Sequence, residues 1–281
     1  MERYAQATKL RHTAILMSSN WPSKSLPAPC HLQGIGVLVT RPQQQATALC
    51  EKIEHAHGRP IRLPTIEIGP TRDSETARKL LNTMGDADLV IFTSRNAVQY
   101  AFPLLPDILP EQLAVTAIGD ATAAELTEYG LPPTLLPAGR FESESLLALE
   151  ALQQVKDKTV IIVRGEGGRP LLGDQLTARG AKVQYAEVYQ RSMPKRRPAG
   201  LISGWDQMVQ CITITSTEGL DNLLTMLGDG VKEQILATPI VTISPRIAEH
   251  AKAIGCQQVL IADNASDKAI LAALCGAFGK T

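Results

Sequence analysis

Three stretches of this chain recur in the same order at nearly one spacing, which restricts the possible folds more than any other feature. GVLVTRP at 36–42 matches VIIVRGE at 160–166, an offset of 124. LVIFTSRNAV at 89–98 matches CITITSTEGL at 211–220, an offset of 122. VTAIGDATAAE at 115–125 matches the run from Val241, with Ile118 on Ile243 at an offset of 125. A shared order at a near-constant offset means two copies of one unit. Within each copy short apolar runs alternate with amphipathic segments. The pattern predicts strands at 37–40, 61–68, 89–92, 115–118, 159–163, 212–214, 240–243 and 258–261. Helices are expected at 43–56, 74–84, from 94, and at 120–129, 143–152, 217–227, 246–254 and 267–275. Strands separated by helices of this length form parallel sheets covered on both faces, so the expected class is α/β with two similar parallel-sheet domains. Each copy could close on itself, or the first βαβ of each could belong to the other's domain. Proline-marked crossings at 64–70 and 189–198 occupy equivalent places in the two copies and are natural linkers for the swapped arrangement, though composition alone leaves the choice open.

The clearest single unit runs from 159 to 191. Five apolar or β-branched residues lead into Arg164-Gly165-Glu166-Gly167-Gly168-Arg169, then a helical segment carrying Leu171, Leu172, Leu176 and Ala178, then a strand closed by Tyr189. Such a turn sets backbone N–H groups and two guanidiniums at a helix mouth, where an anion would sit. In an open parallel sheet ligands bind beyond the carboxyl ends of the strands. Those ends read Thr40-Arg41-Pro42, Thr93-Ser94, Gly119-Asp120-Ala121-Thr122, Arg164-Gly165-Glu166, Thr215-Ser216 and Ser244-Pro245-Arg246. Helix capping accounts for any one of these hydroxyls. Six such ends from two facing domains make a cleft suited to a ligand with several carboxylates.

Several function classes are excluded or weakened. Lys plus Arg and Asp plus Glu stand at 28 each, so no global field draws nucleic acid or a membrane surface. No apolar run nears the ~18–20 residues that span a bilayer. The five histidines lack metal-ligand spacing, and no metal site or cofactor is expected. There is no GxSxG elbow and no GxxxxGK[ST] loop. Pro170 stands where a dinucleotide fingerprint needs glycine, although Glu187 lies about 20 residues on. The five cysteines are odd in number and form no CxxC, which reads as reduced, mostly buried thiols in a cytoplasmic protein. The segment 1–34, with Arg3, Lys9, Arg11 and Lys24 against the single acid Glu2, reads as a disordered tail or a mis-assigned start (Met17 being the alternative) in preference to a transit-like segment, and is assigned no function.

On VLVTRP (37–42), LPTIEI (63–68), FTSRNAV (92–98), AIGDATA (117–123), the block from Val163 to Arg191, ITSTEGL (214–220), ISPRIAE (243–249) and IADNASDKAILAAL (261–274), the chain resembles the uroporphyrinogen-III synthases of bacterial type over roughly 35–277. The resemblance implies that 35–66 plus 192–281 form one domain and 67–191 the other, joined by a two-strand connector with the active-site cleft between them. It also implies a cofactor-free lyase acting on hydroxymethylbilane, a linear tetrapyrrole with eight carboxylates. The enzyme removes water and closes the macrocycle with ring D inverted, on the route to haem. By that resemblance Tyr189 is the catalytic candidate, as donor to the departing hydroxyl. Thr40, Arg41, Thr93, Ser94, Gly119, Thr122, Arg164, Gly165, Glu166, Thr215, Ser216, Ser244 and Ser266 are the substrate-binding candidates. Where some relatives carry GPTTA, this chain has Ser244-Pro245-Arg246-Ile247-Ala248, so that loop lacks their threonine hydroxyls. Arg164 could instead pair with Glu166 or Asp174. A monomer is expected, because the motifs account for the cleft without a partner surface. The rival readings are a two-lobed sensor or decayed paralogue that binds a tetrapyrrole without converting it, and a nucleotide-dependent enzyme. Intact Tyr189 and strand ends argue against the first, Pro170 and the missing phosphate loop against the second.

Overall fold

The computed structural model describes residues 30–106, 108–109, 113–136, 143–195 and 198–279. Its strands are β1 Gly36–Val39, β2 Arg59–Arg62, β3 Glu67–Pro70, β4 Leu89–Phe92, β5 Val115–Ala117, β6 Thr159–Gly165, β7 Lys182–Ser192, β8 Cys211–Ile214, β9 Ile240–Thr242 and β10 Val259–Ile261. They form two five-stranded sheets, ordered β10-β9-β8-β1-β2 and β3-β7-β6-β4-β5. The repeat explains the shared order. β1 and β6 are one motif, β8 and β4 another, β9 and β5 a third. In each sheet the β1-type strand of one copy lies beside the β8-type strand of the other.

The inner strands β1, β4, β6 and β8 are buried along their interiors because helices cover both faces. Along β1, Val37 and Val39 enter one apolar cluster and Leu38 the other. Along β6, Ile161 and Val163 face one cluster, Val160 and Ile162 the opposite one. Period-two alternation thus divides each apolar run between two cores.

The expected strand at 61–68 is instead two strands in different sheets. Pro64 offers no N–H to a ladder and restricts the residue before it, so the chain leaves the first sheet there and enters the second as β3. Pro60 in β2 and Pro70 in β3 are tolerated because both strands are sheet edges. β3 pairs with β7 antiparallel, so the second sheet is parallel-dominated and not wholly parallel. The single helix expected at 143–152 is two, Ser143–Leu147 and Glu150–Gln153, and the helix Lys232–Ala237 carried no clear sequence signal.

Two further expectations are corrected. The cysteines are not all reduced, since Cys30 and Cys275 form a disulfide with Cα atoms 5.7 Å apart. Their contact follows from packing: Leu32 is fully buried in the cluster that holds Ile270 and Leu274 of the C-terminal helix Asp267–Phe278, which carries the chain end onto Cys275. For the same reason residues 30–34 belong to the fold, while the rest of the expected tail, 1–29, lies outside the described residues. Cys50, Cys211 and Cys256 are free and buried. No helix among the described residues is long and apolar enough to cross a membrane.

Candidate active site

A cavity of about 1000 Å³ opens at the carboxyl ends of β4 and β6 and along the final residues of β7. Six sequence candidates line it: Thr93, Ser94, Arg164, Gly165, Glu166 and Tyr189. The others do not. Thr40 is buried, its hydroxyl donating to Thr213 O at 2.7 Å, and Arg41 is ion-paired to Asp267 and donates to Ala265 O. Gly119 and Thr122 are buried at the start of the helix Asp120–Glu128. Thr215, Ser216, Ser244 and Ser266 sit at strand ends of the first sheet. There the Ser216 and Ser266 hydroxyls cap their helices by accepting from Gly219 N and Ala269 N. The first sheet's half touches the cavity through Glu218.

Tyr189 owes its place to a β-bulge. The β6–β7 register runs Arg164 opposite Glu187 and then Gly165 opposite Tyr189, skipping Val188. An extra residue in one strand breaks the alternation and re-aims the next side chain. Val188 and Tyr189 are accordingly buried in succession and join one cluster. Tyr189, 5% exposed, packs its ring closely against Gly165: a Cβ built on that glycine would come within 2.6 Å of Cε2 and Cζ. Its hydroxyl is 3.2 Å from Ser94 Oγ, and Ser94 Oγ accepts from Ala97 N at 3.1 Å as the cap of the next helix. Tyr100 tilts against the ring at 6.0 Å between centroids and donates its own hydroxyl to Ile68 O.

The Gly-rich turn is held from both sides. Arg164 forks onto Glu187 at 2.9 and 3.2 Å, donates to Gly168 O at 3.1 Å, and stacks over Tyr185 at 3.8 Å. Its partner is thus Glu187, across the sheet, and not Glu166 or Asp174. Glu166 accepts from Thr71 Oγ1 at 2.7 Å and Arg72 N at 2.9 Å, tying the turn to the end of β3. The Arg72 N–H first, and the Thr71 hydroxyl with it, hold the Glu166 carboxyl below its ordinary range. Arg164 and Glu166 therefore shape the wall, Arg164 with its charge met by Glu187 and Glu166 hydrogen-bonded to the end of β3.

Sequence reading missed the cations at the rim. Arg72 and Arg191 are exposed at the cavity, Arg72 bonded through Nε to Gln190 Oε1 and Arg191 lying 3.7 Å from Glu218. Arg169, noted in the turn, is exposed beside them. Arg72 and Arg191 reach the same cavity only because β3 and β7 pair. The signal available was the basic character of the second proline-marked crossing and an arginine, Arg72, two residues past the first. Three exposed guanidiniums, the buried Tyr189 and the hydroxyls of Thr93 and Ser94 line one pocket, whose edge is chemically suited to carboxylates. Among the described residues no group of three or more His, Cys, Asp or Glu could hold a metal ion.

A family model described as uroporphyrinogen-III synthase HemD matches residues 47–272. The chain is 33% identical over 252 residues to the uroporphyrinogen-III synthase of Escherichia coli K12, across 85% of this chain and 100% of that relative. It is 33% identical over 248 residues to that of Salmonella typhimurium LT2, across 85% and 100%. In fold it resembles a mutant uroporphyrinogen III synthase from the extremely thermophilic bacterium Thermus thermophilus, with a TM-score of 0.59 at 18% identity over 85% of this chain and 97% of that one.

Proposed function

The chain belongs to the uroporphyrinogen-III synthase family, and from that membership we propose how its residues carry out the family's reaction. It is a lyase of haem biosynthesis that converts hydroxymethylbilane, a tetrapyrrole, to uroporphyrinogen III. Tyr189 is the general acid. It gives its phenolic proton to the hydroxyl of the hydroxymethyl group as the carbon–oxygen bond breaks with its electron pair going to oxygen, and water leaves. The proton lost when the macrocycle closes returns to the phenolate, so water is the one by-product. The observation that carries this reading is the Tyr189 hydroxyl, inside the cavity and next to Ser94, beneath a rim of exposed guanidiniums.

The reaction also needs positioning, because unassisted closure gives the un-inverted isomer. Arg72, Arg169 and Arg191 are suited to holding carboxylate arms while Thr93, Ser94 and the Gly-rich turn line the reacting end. The first-sheet strand ends Thr215, Ser216, Ser244 and Ser266, which keep some exposure, are the facing wall of the cleft in this proposal. Supporting it, Arg191 of one lobe lies 3.7 Å from Glu218 of the other. We read the two sheets as two domains, 35–66 plus 192–281 and 67–191, joined through β3 and β7. Sheet membership supports this division. A cytoplasmic monomer completes the proposal; three of the five cysteines are free.

The test is product analysis with hydroxymethylbilane generated in situ and no added cofactor. The inverted isomer is expected with the wild type. Tyr189→Phe should lower turnover and leave product binding nearly unchanged. An unaltered rate would remove Tyr189 from the mechanism.

A further inference from the structure

Tyr189 meets a second hydroxyl, and the pair has an internal direction. Ser94 Oγ accepts the Ala97 N–H at 3.1 Å and lies 3.2 Å from the Tyr189 oxygen. A hydroxyl that accepts one hydrogen bond is polarised towards donating its own proton. If the serine proton goes to the phenol oxygen, the phenol's own proton is left to point into the cavity. The reverse arrangement would turn the tyrosine proton away from any ligand.

We infer that Ser94 is a positioning residue for the reaction: its hydroxyl donates to Tyr189, aims the tyrosine proton at the departing hydroxyl, and stabilises the negative charge that appears on the phenol oxygen once that proton is given up. This rests on the reading of Tyr189 as the proton donor. Two features hold the pair in register. The bulge at β6–β7 sets Tyr189 opposite Gly165, and the ring's close approach to that glycine leaves it no room to slide towards the turn. The N-cap role fixes Ser94 by the first turn of the helix Arg95–Ala101. The serine therefore contributes through Tyr189 and not as a separate ligand contact.

A double-mutant cycle tests this on the full chain. Ser94→Gly removes the hydroxyl at little cost to the helix start, since glycine is itself a tolerated cap. Ser94→Ala serves as a second variant should the glycine form fold poorly. Turnover of hydroxymethylbilane to the inverted isomer is measured for Ser94→Gly, Tyr189→Phe and the double variant. Expected is a fall in kcat of about fivefold for Ser94→Gly, the ordinary worth of one hydrogen bond, with KM within about twofold. In the Tyr189→Phe background the same substitution should change kcat no further. An equal fall in both backgrounds would overturn the inference and make Ser94 an independent substrate contact. A Tyr189→Phe enzyme with full kcat would overturn the Tyr189 reading itself, and the inference with it.

Discussion

Gly165→Ala should disable the enzyme through one methyl group. A Cβ at this position would come 2.6 Å from Tyr189 Cε2 and Cζ and 3.0 Å from the hydroxyl oxygen. Carbon atoms pack comfortably at about 3.5–4.0 Å, so the ring must withdraw by roughly 1 Å. Its surroundings oppose that, since Tyr189 is packed in a cluster with Phe92, Ala97 and Val188 and with Tyr100 alongside. Overpacking of this kind costs about 1–3 kcal/mol, read as a fall of several degrees in Tm. Gly165 does not have a positive φ, so the penalty is steric and not a backbone strain. A shift of ~1 Å carries the phenol off Ser94 and out of line with the substrate, which costs about 100-fold in kcat. Isomer-resolved turnover and thermal melting would be measured together. Gly69→Ala is the control: it lies opposite Gln190 in the same sheet with nothing within 4 Å of an added Cβ, and should change stability by less than about 0.5 kcal/mol. Wild-type turnover and Tm in Gly165→Ala would refute the packing argument. A stability loss unrelieved by Tyr189→Ala would refute its assignment to this ring.

Three other outcomes are expected. Glu166 has its carboxyl held below the ordinary range by the Arg72 N–H and the Thr71 hydroxyl. Its contribution is therefore complete above the unfolded value and is lost as pH falls through the lower folded value. Glu166→Gln should flatten the acid limb of the stability profile and leave neutral and alkaline melting temperatures nearly parallel to wild type. Arg164→Lys should loosen the Gly-rich turn, because an ammonium cannot reproduce the fork to Glu187, the bond to Gly168 O and the stacking on Tyr185 together. About 1–2 kcal/mol of stability and a several-fold loss in kcat/KM are expected by melting and steady-state assay, larger than for Arg169→Lys at the exposed end of the turn. Thiol titration should count three cysteines in unfolded, unreduced protein and five after reduction. The native protein should react slowly, because burial pushes the thiols of Cys50 and Cys256 up and that of Cys211 to about 12.

Much of the fold was written locally. Runs such as Val37–Val39 and Val160–Val163 are apolar at every position because two helical layers cover them, and that continuity marks buried parallel strands in the sequence itself. The duplicated motifs and the hydroxyls, glycines and arginines at strand ends were visible for the same reason: each is a property of a few consecutive residues. Tertiary structure decided what depends on residues far apart in the chain. The copies left two pairings open, and the contacts of β1 with β8 and of β4 with β6 chose between them. The bulge opposite Gly165 turned Tyr189 to the same face as Ala186 and Val188, which alternation along β7 would not have done. Packing of Leu32 under the last helix brought Cys30 to Cys275 across a separation of 245 residues. The antiparallel pairing of β3 and β7 gathered Arg72 and Arg191 at the cavity, while Thr40 and Arg41 were drawn into bonds of their own. Sequence pattern states what a residue prefers within a turn or two of chain; which candidates still have a donor, an acceptor or a charge to offer depends on which distant partners folding brings within hydrogen-bond reach.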